Sequence, residues 1–180
     1  MQTNAQIKQL DQAVHKFKTC IQDLPESKFL QPIYGQPIYG QPIYGQPING
    51  QPINGWTPRD VLAHLIGWNR NTTTGCRQIK TGELPSYFSD AENDFSNVNT
   101  EALALYATTD QGLLLDELEV SFQALQNYLL FLNPNDWQTD FGVHYRDSTI
   151  TIENTVAALI KDYDDHREEI QAWVKIQKDH

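Results

Sequence analysis

The sequence predicts an all-α protein, a four-helix bundle, and three observations carry that prediction. Four long segments repeat apolar residues at alternating steps of three and four, the spacing that lines one face of a helix. No convincing run of strands interrupts them. Proline falls where these segments begin or end, at Pro25, Pro58 and Pro134. At 180 residues the chain reads as one domain over 1–180, large enough to bury a core without disulfide staples.

The first helix carries Ile7, Leu10, Val14, Phe17, Ile21 and Leu24 and stops at Pro25. The second opens at Trp56-Thr57-Pro58-Arg59-Asp60, where Thr57 is a natural N-cap, Pro58 suits the first helical position and Asp60 favours the positive end of the helix dipole. Its face is Val61, Leu65, Trp68, Thr72 and Ile79, and it ends near Thr81-Gly82. Residues 83–108 hold Pro85, Tyr87 and Phe95, then a short helical stretch from Thr100 to Tyr106, a length that suits a long crossover between helices two and three. The third helix runs from about Thr109 to Leu132 with Leu115, Leu118, Phe122, Leu125, Leu129 and Leu132 on its face, and Pro134 closes it. Residues 138–149 suit a small hairpin or a loop. The fourth helix starts at Thr149 or Thr151 and continues to about Gln177, with Ile152, Val156, Leu159, Tyr163, His166, Ile170 and Trp173 in one stripe.

Between the first two helices lies an insert at 31–55, three copies of Gln-Pro-Ile-Tyr-Gly followed by two of Gln-Pro-Ile-Asn-Gly. Proline and glycine every fifth residue forbid helix and favour turns or extended coil. Repeat expansion of a loop accounts for it, because the entropy of closing a loop grows slowly with length. The rival reading is a partner-binding arm that presents tyrosines in a proline-rich frame.

The charge is −10, from 23 acidic against 13 basic residues. This argues against nucleic acid and against an anionic membrane surface as partners. No run of about 20 apolar residues is present to span a bilayer. The opening residues lead straight into a polar amphipathic helix, so no signal peptide is expected. Cys20 and Cys76 lack metal or redox spacing. Cys20 reads as an inert core thiol, Cys76 fits core or surface, and a cytoplasmic protein with free thiols is the simplest expectation.

Function points to the helix faces. His166 stands in the fourth stripe where a large apolar residue is expected, and His64 does the same within Val61-Leu62-Ala63-His64-Leu65-Ile66-Gly67-Trp68. Two polar rings facing one core need partners. Asp162, one turn before His166, shares its face. His64, Asp162 and His166 are therefore three candidate ligands for a divalent ion, and nitrogen and oxygen donors without thiolate suit zinc, nickel, iron or manganese. Such a three-ligand site leaves a position open for catalysis and can activate water by lowering its pKa. The plainer alternative makes each histidine a core residue satisfied by Asp162, Tyr163, a carbonyl or buried water. Trp68 and Tyr163 are the candidates to line a pocket. Trp56, Trp137 and Trp173 read as core, and Asp164, Asp165, His15, His144 and His180 as surface.

The stretch from Trp56 to Trp68, with its Leu65-Ile66-Gly67-Trp68 ending, resembles the second helix of DinB-like four-helix bundles, the ClbS/DfsB family above all. Asp162-Tyr163-Asp164-Asp165-His166 is similar to the last-helix motif of that superfamily, a His or Glu followed four residues later by His. The resemblance spans most of the chain outside the insert. It implies a helical bundle, often dimeric, that binds a divalent metal through one helix-two histidine and two last-helix ligands, which here are His64, Asp162 and His166. It also implies chemistry on small electrophiles. Relatives include thiol-dependent isomerases or transferases using mycothiol or bacillithiol, and a cyclopropane hydrolase that protects against a genotoxin. Two departures stand out. Asp162 is one methylene shorter than the family's Glu, and ClbS-type members lack the helix-two histidine, so their activity does not transfer with the name.

The expectation is thus a metal-dependent hydrolase or thiol transferase of detoxification or self-protection type, acting on a small molecule, with a low-molecular-weight thiol as a candidate cofactor. Two alternatives belong to other classes. One is a metal-free bundle that sequesters a small molecule, and the other an interaction protein that uses the repeat.

Overall fold

The computed structural model describes residues 2–33 and 55–176. Its elements are α1 (Gln2–Gln22), a single turn α2 (Glu26–Phe29), α3 (Pro58–Lys80), a 3₁₀ segment (Ser86–Asn93), α4 (Ser96–Leu105), α5 (Gln111–Leu130), a 3₁₀ turn (Pro134–Trp137), β1 (His144–Tyr145), β2 (Ser148–Thr149) and α6 (Ile152–Ile176). The fold is an all-α bundle of α1, α3, α5 and α6, with α3 against α5 and α6, and α1 against α6. No described helix is long and apolar enough to cross a membrane.

Local chemistry sets the ends of these helices. The Thr57 hydroxyl accepts from the Asp60 N–H at 3.2 Å while the Asp60 carboxylate accepts from the Thr57 N–H at 2.9 Å, a reciprocal cap with Pro58 in the first turn. Thr151 and Asn154 exchange the same pair of bonds at the start of α6, at 2.9 and 3.2 Å. Asp110 caps α5 by accepting from Leu113 N–H at 2.9 Å.

All seven residues of the α6 stripe, Ile152 to Trp173, are buried. Each large apolar side chain so buried contributes about 1.5–3 kcal/mol before entropy is counted. On α5 the face is centred on Leu114, Leu118, Phe122, Leu125 and Leu129. Leu115, expected in the core, is only half-buried. In the run Leu113-Leu114-Leu115 every side chain is apolar, so periodicity alone could not choose the register.

Most of the repeat, residues 34–54, lies outside the described residues, as do His180 and the expected end of the last helix at Gln177. The two ends of the insert are tied together. The Ile33 N–H donates to the Trp56 carbonyl at 2.7 Å, and the Gly55 N–H donates to the Ile33 carbonyl at 3.0 Å. Ile33 and Trp56 are both buried in the core.

The crossover is more structured than its length suggested. The Asp90 carboxylate accepts from the backbone N–H groups of Asn97 and Val98 at 2.8 and 3.0 Å, so it satisfies the first turn of α4 from outside the helix. Asp94 and Phe95 sit in the left-handed region just before that turn, with φ of 53° and 59°. Gly67 lets α4 lie close against α3, since a Cβ at that position would fall 2.7 Å from Ala102 Cβ.

Candidate metal centre

The bundle brings together the three residues that the sequence singles out. His64 comes from α3, and Asp162 and His166 come from α6, one turn apart on its inner face. Asp162 Oδ2 lies 3.0 Å from His64 Nε2, and Oδ1 lies 3.3 Å from His166 Nε2. One ligand atom from each residue can be chosen so that all lie within 4.8 Å of one another. His64 and His166 are 4% and 0% exposed, and the Asp162 side chain 24%. The Trp56 ring covers both imidazoles, tilted on His64 at 5.2 Å between centroids and stacked on His166 at 6.4 Å.

Each imidazole is also held from behind. His64 Nδ1 is 3.0 Å from Asn99 Oδ1, and His166 Nδ1 is 2.8 Å from Glu169 Oε2. These two polar partners and Trp56 are what the sequence reading missed. Glu169 follows His166 by one turn and was recoverable from i,i+3 spacing. Asn99 carried no such signal, because it reaches His64 from the short α4 across 35 positions of sequence.

Electrostatics favour the charged forms of Asp162 and His166. Burial pushes the Asp162 carboxyl up, but the charges of His64 and His166 and their hydrogen bonds outweigh it and hold the group well below the usual carboxylate range. Burial pushes His166 down, and the Asp162 charge, with the Glu169 carboxylate on Nδ1, lifts it to about 10. His166 Nε2 is nonetheless a buried nitrogen without an aligned hydrogen bond, despite its closeness to Oδ1. An orphaned buried nitrogen beside a carboxylate and a second imidazole is a donor set that fits a divalent transition ion.

A cavity of about 690 Å³ opens over this cluster, with His64 and Asp162 in its wall and His166 behind them. Trp68, Tyr87, Phe88 and Phe95 line the same cavity and meet one another mainly edge to face. Three of these four rings come from the crossover.

Trp68, expected to line a pocket, is in the wall of this cavity, and Tyr163, expected beside it, is packed in the core. Tyr163 is fully buried, its ring edge-on to Phe17 at 5.6 Å and its hydroxyl donating to Asn69 Oδ1 at 2.9 Å. It shares the α6 stripe with His166, and at its level that stripe faces α1 and α3 rather than the cavity. Asp165, expected on the solvated face, is half-buried at the cavity beside Lys161, with which it pairs. Asp164 is half-buried and pairs with Arg167 at 3.2 Å. His15 and His144 are exposed. Cys76 is buried, which pushes its thiol up to about 12, and Cys20 is half-buried.

No family profile and no curated protein matches the chain. Solved structures do. DfsB, described as a sibling lethal factor precursor, superposes with a TM-score of 0.69 at 14% identity, over 97% of this chain and 96% of that one. The colibactin self-resistance protein ClbS, in complex with a double-stranded DNA, gives 0.64 at 12% identity over 98% and 95%. The chain has a ClbS/DfsB-like fold. An uncharacterised protein from Escherichia coli UTI89 shares this fold, with a TM-score of 0.71 at 14% identity over 98% of this chain and 94% of that one. The match is one of architecture over nearly the whole length. Within the ClbS/DfsB-like bundle, the chemistry has to be argued from the side chains.

Proposed function

We propose that this protein is a metal-dependent enzyme of detoxification or resistance type, acting on a small electrophile by hydrolysis or thiol transfer. The observation that carries the reading is the convergence of His64, Asp162 and His166 beside an aromatic cavity. When bound, a divalent ion supplies Lewis acidity and a nucleophile at neutral pH. The chain's own residues do the rest. Trp68, Tyr87, Phe88 and Phe95 hold an apolar molecule and exclude water, and Trp56 shuts the buried side of the cluster. The resistance role of ClbS agrees with such a function.

Elemental analysis of protein purified without chelator tests the reading, beside His64→Ala and His166→Ala. Stoichiometric transition metal in the wild type, lost in each variant with helicity intact, is the expected result. Metal retained in both variants sinks the assignment.

One observation favours a second reading, a metal-free pocket that sequesters its ligand. Asp162 already lies within 3.3 Å of both imidazoles, so the cluster can balance its own charge. Quenching of tryptophan fluorescence by an apolar probe, unchanged by chelator and by the histidine variants, would select it. Duplex DNA, bound in the ClbS complex, is not the ligand expected here, because a charge of −10 opposes phosphate binding. A mobility shift at low salt checks that exclusion.

A further inference from the structure

The proton positions on both imidazoles follow from their outer neighbours. An indole N–H only donates, so the Asn99 atom 3.0 Å from Trp68 Nε1 is the side-chain oxygen. That same oxygen lies 3.0 Å from His64 Nδ1, and since it can only accept, His64 Nδ1 carries a proton. At His166 the Nδ1 neighbour is the Glu169 carboxylate at 2.8 Å, which also only accepts, so this Nδ1 carries a proton too. With Nδ1 so held from outside, Nε2 is in each ring the nitrogen that can turn its lone pair to an ion, in place of any proton it shares with the Asp162 carboxylate it faces.

We propose that Asn99 and Glu169 are positioning residues that present His64 and His166 as Nε2 ligands to a divalent transition ion, with Trp68 fixing which way Asn99 points. The ligand role rests on the metal reading above, whereas the proton assignment stands without it. Trp68 has a double duty here, since the ring that walls the cavity also orients a ligand through one shared oxygen. Outer partners of this kind orient a ligating imidazole and raise its basicity.

Histidine-labelled protein and cobalt titration test the proposal together. Long-range nitrogen–proton spectra of the metal-free wild type are expected to place a retained proton on Nδ1 of both rings. Asn99→Leu is expected to abolish that signal for His64, Glu169→Leu to abolish it for His166, and each to weaken cobalt(II) binding about 10- to 100-fold. Asn99→Asp and Glu169→Gln keep an acceptor and are expected to retain both signal and affinity. Trp68→Phe keeps a ring in the wall but frees the Asn99 amide to turn its NH₂ toward His64. The expected result is transfer of the proton to Nε2 and about tenfold weaker binding.

A wild-type His64 that carries its only proton on Nε2 overturns the proposal, as do leucine variants that bind cobalt like the wild type. Should the leucine variants fail to fold, Trp68→Phe decides by the same two readouts. A wild type that binds no cobalt overturns the metal reading and the ligand role together, while the Nδ1 protons still decide the assignment of the rings.

Discussion

The imidazole of His64 meets that of His166 edge to face, with ring centroids 5.1 Å apart. Two such polar rings in a helical core are tolerable because Asp162 lies between their Nε2 atoms. Removing one partner from a buried charged set leaves the others uncompensated. Asp162→Ala is therefore expected to destabilise the metal-free protein by about 3 kcal/mol. Urea denaturation measures this, and a loss within about 0.5 kcal/mol, the size of an ordinary surface substitution, would show that the carboxylate does not hold the rings.

Gly67 gives a second test. Alanine is the better helix former by about 1 kcal/mol, so at an open site the change would stabilise α3. Here the new Cβ meets Ala102 Cβ at 2.7 Å, and α4 must move outward with Asn99 on it. Gly67→Ala is expected to cost about 1 kcal/mol net. Ala102→Gly in the same chain should restore stability. No gain from the second change would mean that the two helices are free to separate.

Acid should loosen the crossover first. Asp90 is held below its ordinary 3.8; burial opposes this, but N–H groups of Val98, Asn93 and Asn97 outweigh it. Because the folded value is the lower one, the stabilisation is complete above the ordinary value and is lost as pH falls through the folded one. Amide protection of α4 is expected to drop in the wild type as the pH falls below the ordinary value of 3.8. In Asp90→Asn it should be weaker from the start and flat over the same fall. Parallel profiles for the two proteins would assign the acid response to other carboxylates.

Shortening the repeat is expected to be nearly silent. The backbone bonds between Ile33 and both Gly55 and Trp56 close the segment at its base. Removing residues 36–45 deletes two whole pentapeptides and shortens a closed loop at a cost or gain of under about 1 kcal/mol. Thermal unfolding and metal content should both match the full-length protein. A large loss of stability would show that the repeat packs on the bundle.

The bundle was legible because its signals are local. Thr57-Pro58-Arg59-Asp60 states a helix start within one turn, and the α6 stripe from Ile152 to Trp173 is buried at every position. The inward placement of His64 and His166 followed from the same periodicity. What could not be read are the partners brought by tertiary packing. Asn99 lies in a helix of 10 residues with little amphipathic character, and nothing in its neighbours tells that Asp90 caps that helix or that Gly67 draws it inward. Tyr163 shows the converse limit. Periodicity says that a residue is buried, not whether it meets a cavity or a neighbouring helix.

Asn99 also stands apart from the scaffold that holds the histidines. It belongs to the crossover and not to the four long helices, as do Tyr87, Phe88 and Phe95. A lineage can rewrite that short stretch, and with it the orientation of one imidazole and most of the aromatic wall, while every helix of the scaffold stays as it was. Proteins with this architecture are then free to diverge in what they accept without first surviving a change in how they fold.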